Sequence, residues 1–364
     1  MRLARCGVSA ALLERTRFPR TKVCGEYLSP VALDAIAELG LGDHVLSRAH
    51  RLRTISLCAF GSQPLQLRLP GDGAASIPRA SLDSILVDAA QAAGARLIYG
   101  AYVQSNEGRS SVDISYRDGA GATRLEQARV LVGADGAWSA VGMRAGMSPK
   151  RTGRGRWAVG GHLRDQPASD ELEMYVGPGG YYARNPLGQG IVNEMLVMPR
   201  PAAGRTAEGV VAAITGGRHR FDGVSLERRL AVGPLRYDPD RVSLGRTFLT
   251  GDAAGLLDPF TGQGVALALA CSAAAGDEIL ALLAKGTAAG SASRYAARRD
   301  AIIRPKKRLS MLVDGLLRLG PLRRRALGHA RADAPTAEAV LAAVCGTASC
   351  RGDFSPRLLW KLLA

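Results

Sequence analysis

Apolar positions recur along this chain with two periods, and the switches between them outline its elements. The run VSAALLE (residues 8–14) stays apolar until Glu14, the pattern of a buried parallel strand. Before it, MRLARCG reads as the last turns of a helix stopped at Gly7. The extended, Pro/Arg/Lys-rich stretch RTRFPRTKVCGEYLSP follows, then an amphipathic helix from Val31 to Leu39 that Gly40 ends. Residues 52–78 alternate loosely, as antiparallel strands do. RASLDSILVDAAQAAG places Leu82, Ile85, Leu86 and Ala89 on one helical face. ARLIYGAYV, VDISYRD and RLEQARVLVGADG read as three strands, with a turn at Asp118-Gly119. From about residue 155 to 240 the pattern becomes strand-like pieces broken by Gly and Pro, without helical periodicity. TFLTGDAAG is a further strand, and the Ala-rich helix after it loses its apolar run at Asp277-Glu278. The last 60 residues read as helical and basic. No internal repeat interrupts this order.

A helix, then a strand ending in an acid, is the middle of a dinucleotide-binding βαβ unit, whose acid lies about 20 residues past a glycine-rich turn. Counting back from Glu14 by that distance passes Met1. One approximate G-x-G-x-x-G/A match, Gly153-Arg-Gly155-Arg-Trp-Ala158, follows SPKRT rather than a strand, so its context fails. The expectation is a start codon assigned too late rather than a real truncation.

Composition narrows the class. With 47% apolar and 22% charged residues in 364, the chain has the make-up of a globular protein with a sizeable core. Its net charge of +16 favours anionic partners: lipid headgroups, phosphorylated cofactors or acidic substrates. Cys6, Cys24, Cys58, Cys271, Cys345 and Cys350 are scattered, with no zinc spacing, so no metal site is expected and a reducing cytoplasm fits best. The five histidines form no spaced cluster and receive no role, and nucleic-acid binding lacks any reading motif.

Two loops carry candidate chemistry. In VLVGADGAWSAV (130–141) an apolar strand runs into Gly-Ala-Asp-Gly, where small residues admit a ligand to the backbone and Asp135 accepts hydrogen bonds. Alone, that loop is better read as a tight strand-to-helix turn with no ligand. In TFLTGDAAGLLDPFTGQGVALALA (247–270), Gly251-Asp252 and Asp258-Pro259 lead to Gly262-Gln263-Gly264 at a helix start, where unpaired amides and the helix dipole stabilise an anion.

Together, FPRTKVCGEYLSP, VGADGAWSAV and TGDAAGLLDPFTGQG resemble the FAD-dependent oxidoreductases that include geranylgeranyl reductases and the aromatic-hydroxylase-type flavin monooxygenases. The resemblance runs from residue 1 to about 300. It implies an α/β fold: a Rossmann-like FAD-binding domain lacking its first strand (residues 1–51, 79–152 and 241–300), an interleaved, mostly β substrate domain (52–78 and 153–240) and a helical C-terminal region (301–364). FAD is the implied cofactor and NAD(P)H the implied electron donor. By resemblance Glu14, with Arg15 beside it, meets the adenosine ribose, Arg79 lies near the phosphates, and Val103, Asp135 and Gly136 line the cofactor. Asp252 would bond the ribityl chain, and Pro259, Gly262, Gln263 and Gly264 would edge the isoalloxazine, with Cys24 and Gly25 close by. Tyr181, Tyr182, Asn185 and Asn193 are the candidates to touch substrate. Gly142 stands where the family usually carries arginine, with Arg144 nearby.

The implied activity is oxidation–reduction of a hydrophobic prenyl, polyketide or quinone-like substrate, by hydroxylation with NAD(P)H and O2 or by double-bond reduction. No residue is assigned as catalytic. The rival readings are a non-catalytic remnant of this fold and a peripheral membrane-binding protein. For the latter, eight cations between Arg304 and Arg325 accompany the apolar face Leu309, Leu312, Val313, Leu316 and Leu317. A helix packed on the β domain with a solvated basic rim is the preferred account of that segment.

Overall fold

The computed structural model describes residues 1–149, 155–200, 206–221 and 227–347. The strand Ala11–Glu14 runs parallel to Arg96–Glu107, with Glu14 opposite Tyr99. Val112–Asp118 and Thr123–Ala128 extend that sheet antiparallel. A second parallel pair, Leu131–Gly133 with Thr247–Leu249, lies at the base of both glycine loops. The stretch RLEQARVLVGADG therefore forms two strands in two sheets, not one. Its first half alternates outward-facing charges in a hairpin, while its second half points directly at a core.

The long helix Gly264–Lys285 lies on the second pair, burying Ala274, Ala275, Ile279 and Leu282 against Phe248, Leu249 and Tyr295. It continues two turns beyond Asp277-Glu278, where the sequence pattern predicts its end. Those acids are neutralised by cations from two helices: Arg2 and Arg298 on Asp277, Arg294 and Arg298 on Glu278. At 22 residues it is long and apolar enough to cross a membrane, but here it packs between the helices Pro30–Glu38 and Ser291–Arg318.

A seven-stranded sheet forms the other half of the molecule. From Glu227–Val232 it passes through Arg156–Leu163, Ile191–Pro199, Gly180–Gly188 and Glu171–Gly177 to Thr54–Ala59 and Leu65–Arg68. Thr54–Ala59 joins parallel to Glu171–Gly177, so early sequence completes a sheet built mostly of later sequence. One helix interrupts the strand-like region, Ala207–Thr215, contrary to the reading of 155–240 as strands alone. Thr206 caps it, Gly216 ends it at φ +64°, and Ala207, Val210, Val211 and Ile214 form its buried stripe. The approximate glycine match also resolves: its Gly155 and Ala158 lead into the strand Arg156–Leu163 rather than a helix, and Gly153 lies outside the described residues.

Three helices follow, Ser291–Arg318, Gly320–Ala332 and Ala334–Cys345; residues 348–364 lie outside the described part. Their inner residues Leu317, Leu327, Ala330 and Ala337 join Tyr181, Val197, Met195 and Phe260 in one core.

Candidate functional site

The site forms where three segments meet on one face of the seven-stranded sheet. Directly opposed residues of neighbouring strands share a face. His162 opposes Asn193, which opposes Asn185, so these three form a polar row across three strands. The row holds the Cys24–Glu26 tripeptide. Asn193 Nδ2 donates to the Cys24 carbonyl at 2.8 Å and Asn185 Nδ2 donates to the Gly25 carbonyl at 2.8 Å. His162 Nε2 lies 2.7 Å from Glu26 Oε2.

Glu26 is buried, with a left-handed φ of +54°. Its other carboxylate oxygen accepts from the Arg79 amide at 2.8 Å, and its own amide donates to Cys24 Sγ at 3.3 Å. One carboxylate thus joins the start of the helix Arg79–Ala92 to the β-sheet. Arg79 is turned onto Asp83, 2.8 Å away. Burial works against the Arg79 charge, but Cys24 and Asp83 beside it outweigh burial and raise its pKa. From Asp83 the ion pairs continue through Arg20 (3.3 Å) to Glu14 (3.6 Å).

The loop after Thr247–Leu249 closes the site from the other side. Tyr295 donates to the Leu249 carbonyl at 2.5 Å, and the buried Arg299 donates to that of Ala254, so the following helix fixes both ends of the Asp252 turn. Asp252 is half-buried, with Lys22 Nζ 3.7 Å from its Oδ2. Asp258 caps the turn Pro259–Thr261, accepts the Tyr181 hydroxyl at 3.1 Å and pairs with Arg156 at 2.8 Å. Tyr181 packs edge-on to Phe260, with ring centroids 5.2 Å apart. Burial first, and then the charge of Asp258, push the Tyr181 pKa well up, so the phenol stays neutral.

The candidate residues separate cleanly. Gly25, Gly136 and Gly264 border open space, where a Cβ would meet nothing within 4 Å. Gly262, in contrast, packs against the Tyr27 ring, and Gln263 is buried with its amide turned to the Val344 carbonyl. The Gln263 side chain is therefore occupied by the C-terminal helix. Pro259 is exposed on the loop, and Arg15 is exposed beyond the strand that Glu14 ends. Val103 sits at a bulge between Tyr102 and Gln104, past the segment that pairs with Glu14's strand. Asp135 accepts from the Ser139 hydroxyl and the Val141 amide, so it braces the start of the short helix Ala140–Arg144. At Gly142, where the family usually carries arginine, a Cβ would lie 3.0 Å from the tip of the Leu249 side chain, which would have to give by a few tenths of an ångström.

Tyr182 is a correction. It lies on the opposite sheet face from Tyr181, fully buried beneath the helix Ala207–Thr215 beside Phe221, and cannot touch a substrate in the site. Asn185 and Asn193 do face the site, but both amides are spent on the Cys24–Gly25 backbone. Sequence reasoning missed His162, Glu26, Arg156 and Asp258. Glu26 was in view within KVCGE; His162 becomes visible only once its register with Asn193 is known.

These positions fit FAD. A carboxylate ends a parallel strand at Glu14, a second stands at the Asp252 turn, and the backbone at Gly25 and Gly264 is open to a flat ring. The profile of the family described as an FAD binding domain matches residues 1–223. The chain belongs to that family. It is an FAD-dependent oxidoreductase by that membership, with FAD as its cofactor. It is 29% identical over 288 residues to the menaquinone reductase of Mycobacterium tuberculosis, covering 72% of this chain and 68% of that protein. The fold is similar to a flavoprotein/dehydrogenase from Cytophaga hutchinsonii (TM-score 0.79, 19% identity, 95% of this chain and 90% of that one). It is also similar to OxyS anhydrotetracycline hydroxylase from Streptomyces rimosus (TM-score 0.70, 21% identity, 95% and 72%).

Proposed function

We propose that this chain reduces a hydrophobic, quinone-like or prenyl substrate, with NAD(P)H as the source of electrons. The observation that carries this reading is the backbone open at Gly25 and Gly264, beside an apolar sheet face (Ala158, Met195, Val197 and Tyr181) on which Phe260 and apolar helix residues pack. The likeness to a menaquinone reductase supports an isoprenoid quinone as the substrate.

Bound FAD supplies hydride chemistry. The chain's own residues bind, orient and exclude water. Glu14 holds the adenosine ribose and Asp252 the ribityl chain, while Asp135 and Gly136 line the cofactor. Asn185, Asn193 and the Glu26–His162 pair fix the Cys24–Gly25 backbone against the ring. Tyr181, buried and kept neutral, fastens the Asp258–Phe260 turn to the β-sheet beside the substrate. The division of labour follows the limits read from the sequence: 1–51, 79–152 and 241–300 for cofactor, 52–78 and 153–240 for substrate. Peripheral contact with a membrane through residues 304–325 belongs to the same reading.

The test begins with colour. Purified protein supplied with FAD should show absorption bands near about 375 and 450 nm that bleach with NAD(P)H without oxygen and recover on adding a short-chain quinone. A folded, colourless protein would indicate a non-catalytic remnant instead. Bleaching that recovers only with oxygen, alongside a hydroxylated product, would indicate a hydroxylase.

A further inference from the structure

Eleven large apolar side chains are exposed among the described residues, and four of them, Met311, Leu312, Leu319 and Leu322, fall within twelve positions. Those positions form the corner where Ser291–Arg318 meets Gly320–Ala332. Met311 and Leu319 are 60% and 55% exposed. Arg304, Arg308 and Met311 follow at helical spacing on one outer stripe, and Leu319 stands at the extended junction between the two helices. The apolar face read from the sequence divides: Leu309 and Leu317 are buried and Val313 packs with Leu317 into the core with Tyr181 and Phe260, whereas Leu312 stays exposed. Met311, Leu312, Leu319 and Leu322 are therefore apolar surface left over after the fold has buried the rest.

Charge selects its partner. Between Arg304 and Arg325 lie eight cations and one carboxylate, Asp314, which is turned to Arg318 and Arg156. A convex corner of apolar side chains rimmed by cations suits a deformable anionic surface, since cations gain from anionic headgroups while the apolar tips enter the acyl boundary. We infer that this corner docks on an anionic lipid bilayer, with Met311, Leu312, Leu319 and Leu322 as its inserted residues. The inference rests on the quinone-reductase reading for its purpose. The helices that carry the docking face also pack on the apolar core of the β-sheet, so a bilayer there lies about one helix diameter, ~10 Å, from Phe260 and Tyr181.

Vesicle flotation tests this. Wild-type protein should float with vesicles of mixed phosphatidylglycerol and phosphatidylcholine, and about tenfold less with phosphatidylcholine alone. The variant Met311→Ser/Leu319→Ser/Leu322→Ser should lose about tenfold in bound fraction, and Arg308→Gln/Arg324→Gln should lose binding only at the anionic vesicles. Both should keep the wild-type melting temperature, because these side chains are exposed. Turnover of a short-chain, water-soluble quinone in lipid-free buffer should be unchanged in both. Wild-type protein that stays at the bottom, floats equally with both vesicles, or floats undiminished after the triple substitution overturns the inference. So does a concentration-dependent dimer abolished by the triple substitution, which would assign the corner to a second copy of the chain. Flotation that succeeds while quinone turnover fails leaves the docking intact and removes the reductase reading.

Discussion

The two faces of the seven-stranded sheet carry comparable numbers of buried polar groups and use them in opposite ways. On one face, His162, Asn193 and Asn185 reach out to a different segment, the Cys24–Glu26 backbone. On the other, the polar groups satisfy one another. Arg184 lies between Glu173 (3.1 Å) and Glu194 (3.0 Å), while Tyr175 donates to Glu173 at 2.6 Å and His219 stands 3.1 Å from the same carboxylate. The first face builds a wall for something else to rest on; the second, closed by the helix Ala207–Thr215, is self-contained and supports the sheet. A buried polar cluster marks a binding surface when its partners belong to a loop with open space beyond it, as Gly25 has.

The sharpest break in this comparison is at two adjacent tyrosines. Tyr182→Ala should empty a fully enclosed site and cost about 3–5 kcal/mol of stability by denaturant unfolding. Tyr181→Phe removes one hydroxyl from Asp258 and should cost only about 1 kcal/mol, while altering the flavin's visible spectrum or the KM for quinone. Comparable destabilisation in both would mean that the faces are not functionally distinct.

Acid should attack the closed face. Burial works to raise the Glu173 pKa, but hydrogen bonds from His219 and Tyr175 and the charge of Arg184 outweigh it and hold the pKa down to about 2. A carboxylate depressed below its ordinary value of 4.5 stabilises the fold at pH above that value, and the contribution is lost as pH falls toward 2. Glu173→Gln should therefore cost on the order of 3 kcal/mol at neutral pH, less what the retained hydrogen bonds preserve, and flatten the pH dependence of the melting temperature below about 4.5. An unchanged acid limb would sink the assignment.

On the open face, Asn193→Ala and Asn185→Ala each leave a carbonyl of the Cys24–Gly25 segment without its donor, a cost of about 1–3 kcal/mol where no water replaces it. If that segment meets the cofactor, as proposed, the double variant should weaken FAD binding by about tenfold, read by quenching of flavin fluorescence. Stability lost with flavin affinity intact would reduce the row to scaffolding.

How far the sequence reveals these faces depends on the period of the element. The long helices carry their own periodic signal, so they are legible from the sequence window alone; the apolar run before Glu14 does form a parallel strand, but at a sheet edge with Ala11 and Leu12 exposed, not buried as its pattern suggests. The helix Ala207–Thr215 has the same signal in Val210, Val211 and Ile214, but nine residues among Gly- and Pro-broken strands give it little weight. Tyr181 and Tyr182 look equivalent in a row of letters, yet a period of two sends them to opposite sides of the sheet. His162 and Asn193 are 31 positions apart, and only the register makes them neighbours. The glycine loops could be read because they are contiguous; the row that clamps Cys24–Glu26 is assembled from three strands and could not.

The smallest expected effect concerns Lys22, which belongs to the open face yet stands against Asp252 with no tight bond. The pair is 3.7 Å apart and more than a third exposed on both sides, so it contributes less than about 1 kcal/mol, and Lys22→Met should leave the melting temperature unchanged. Its influence on FAD can have either sign. If Asp252 serves the ribityl hydroxyls, as proposed, Lys22 competes for the same oxygen, and its removal should leave FAD affinity equal or up to about threefold tighter. Asp252→Asn should weaken binding by about tenfold in the same fluorescence titration, because it removes the charged acceptor itself. Equal losses in Lys22→Met and Asp252→Asn would reverse the roles, making the lysine a direct contact to the cofactor and the aspartate its support.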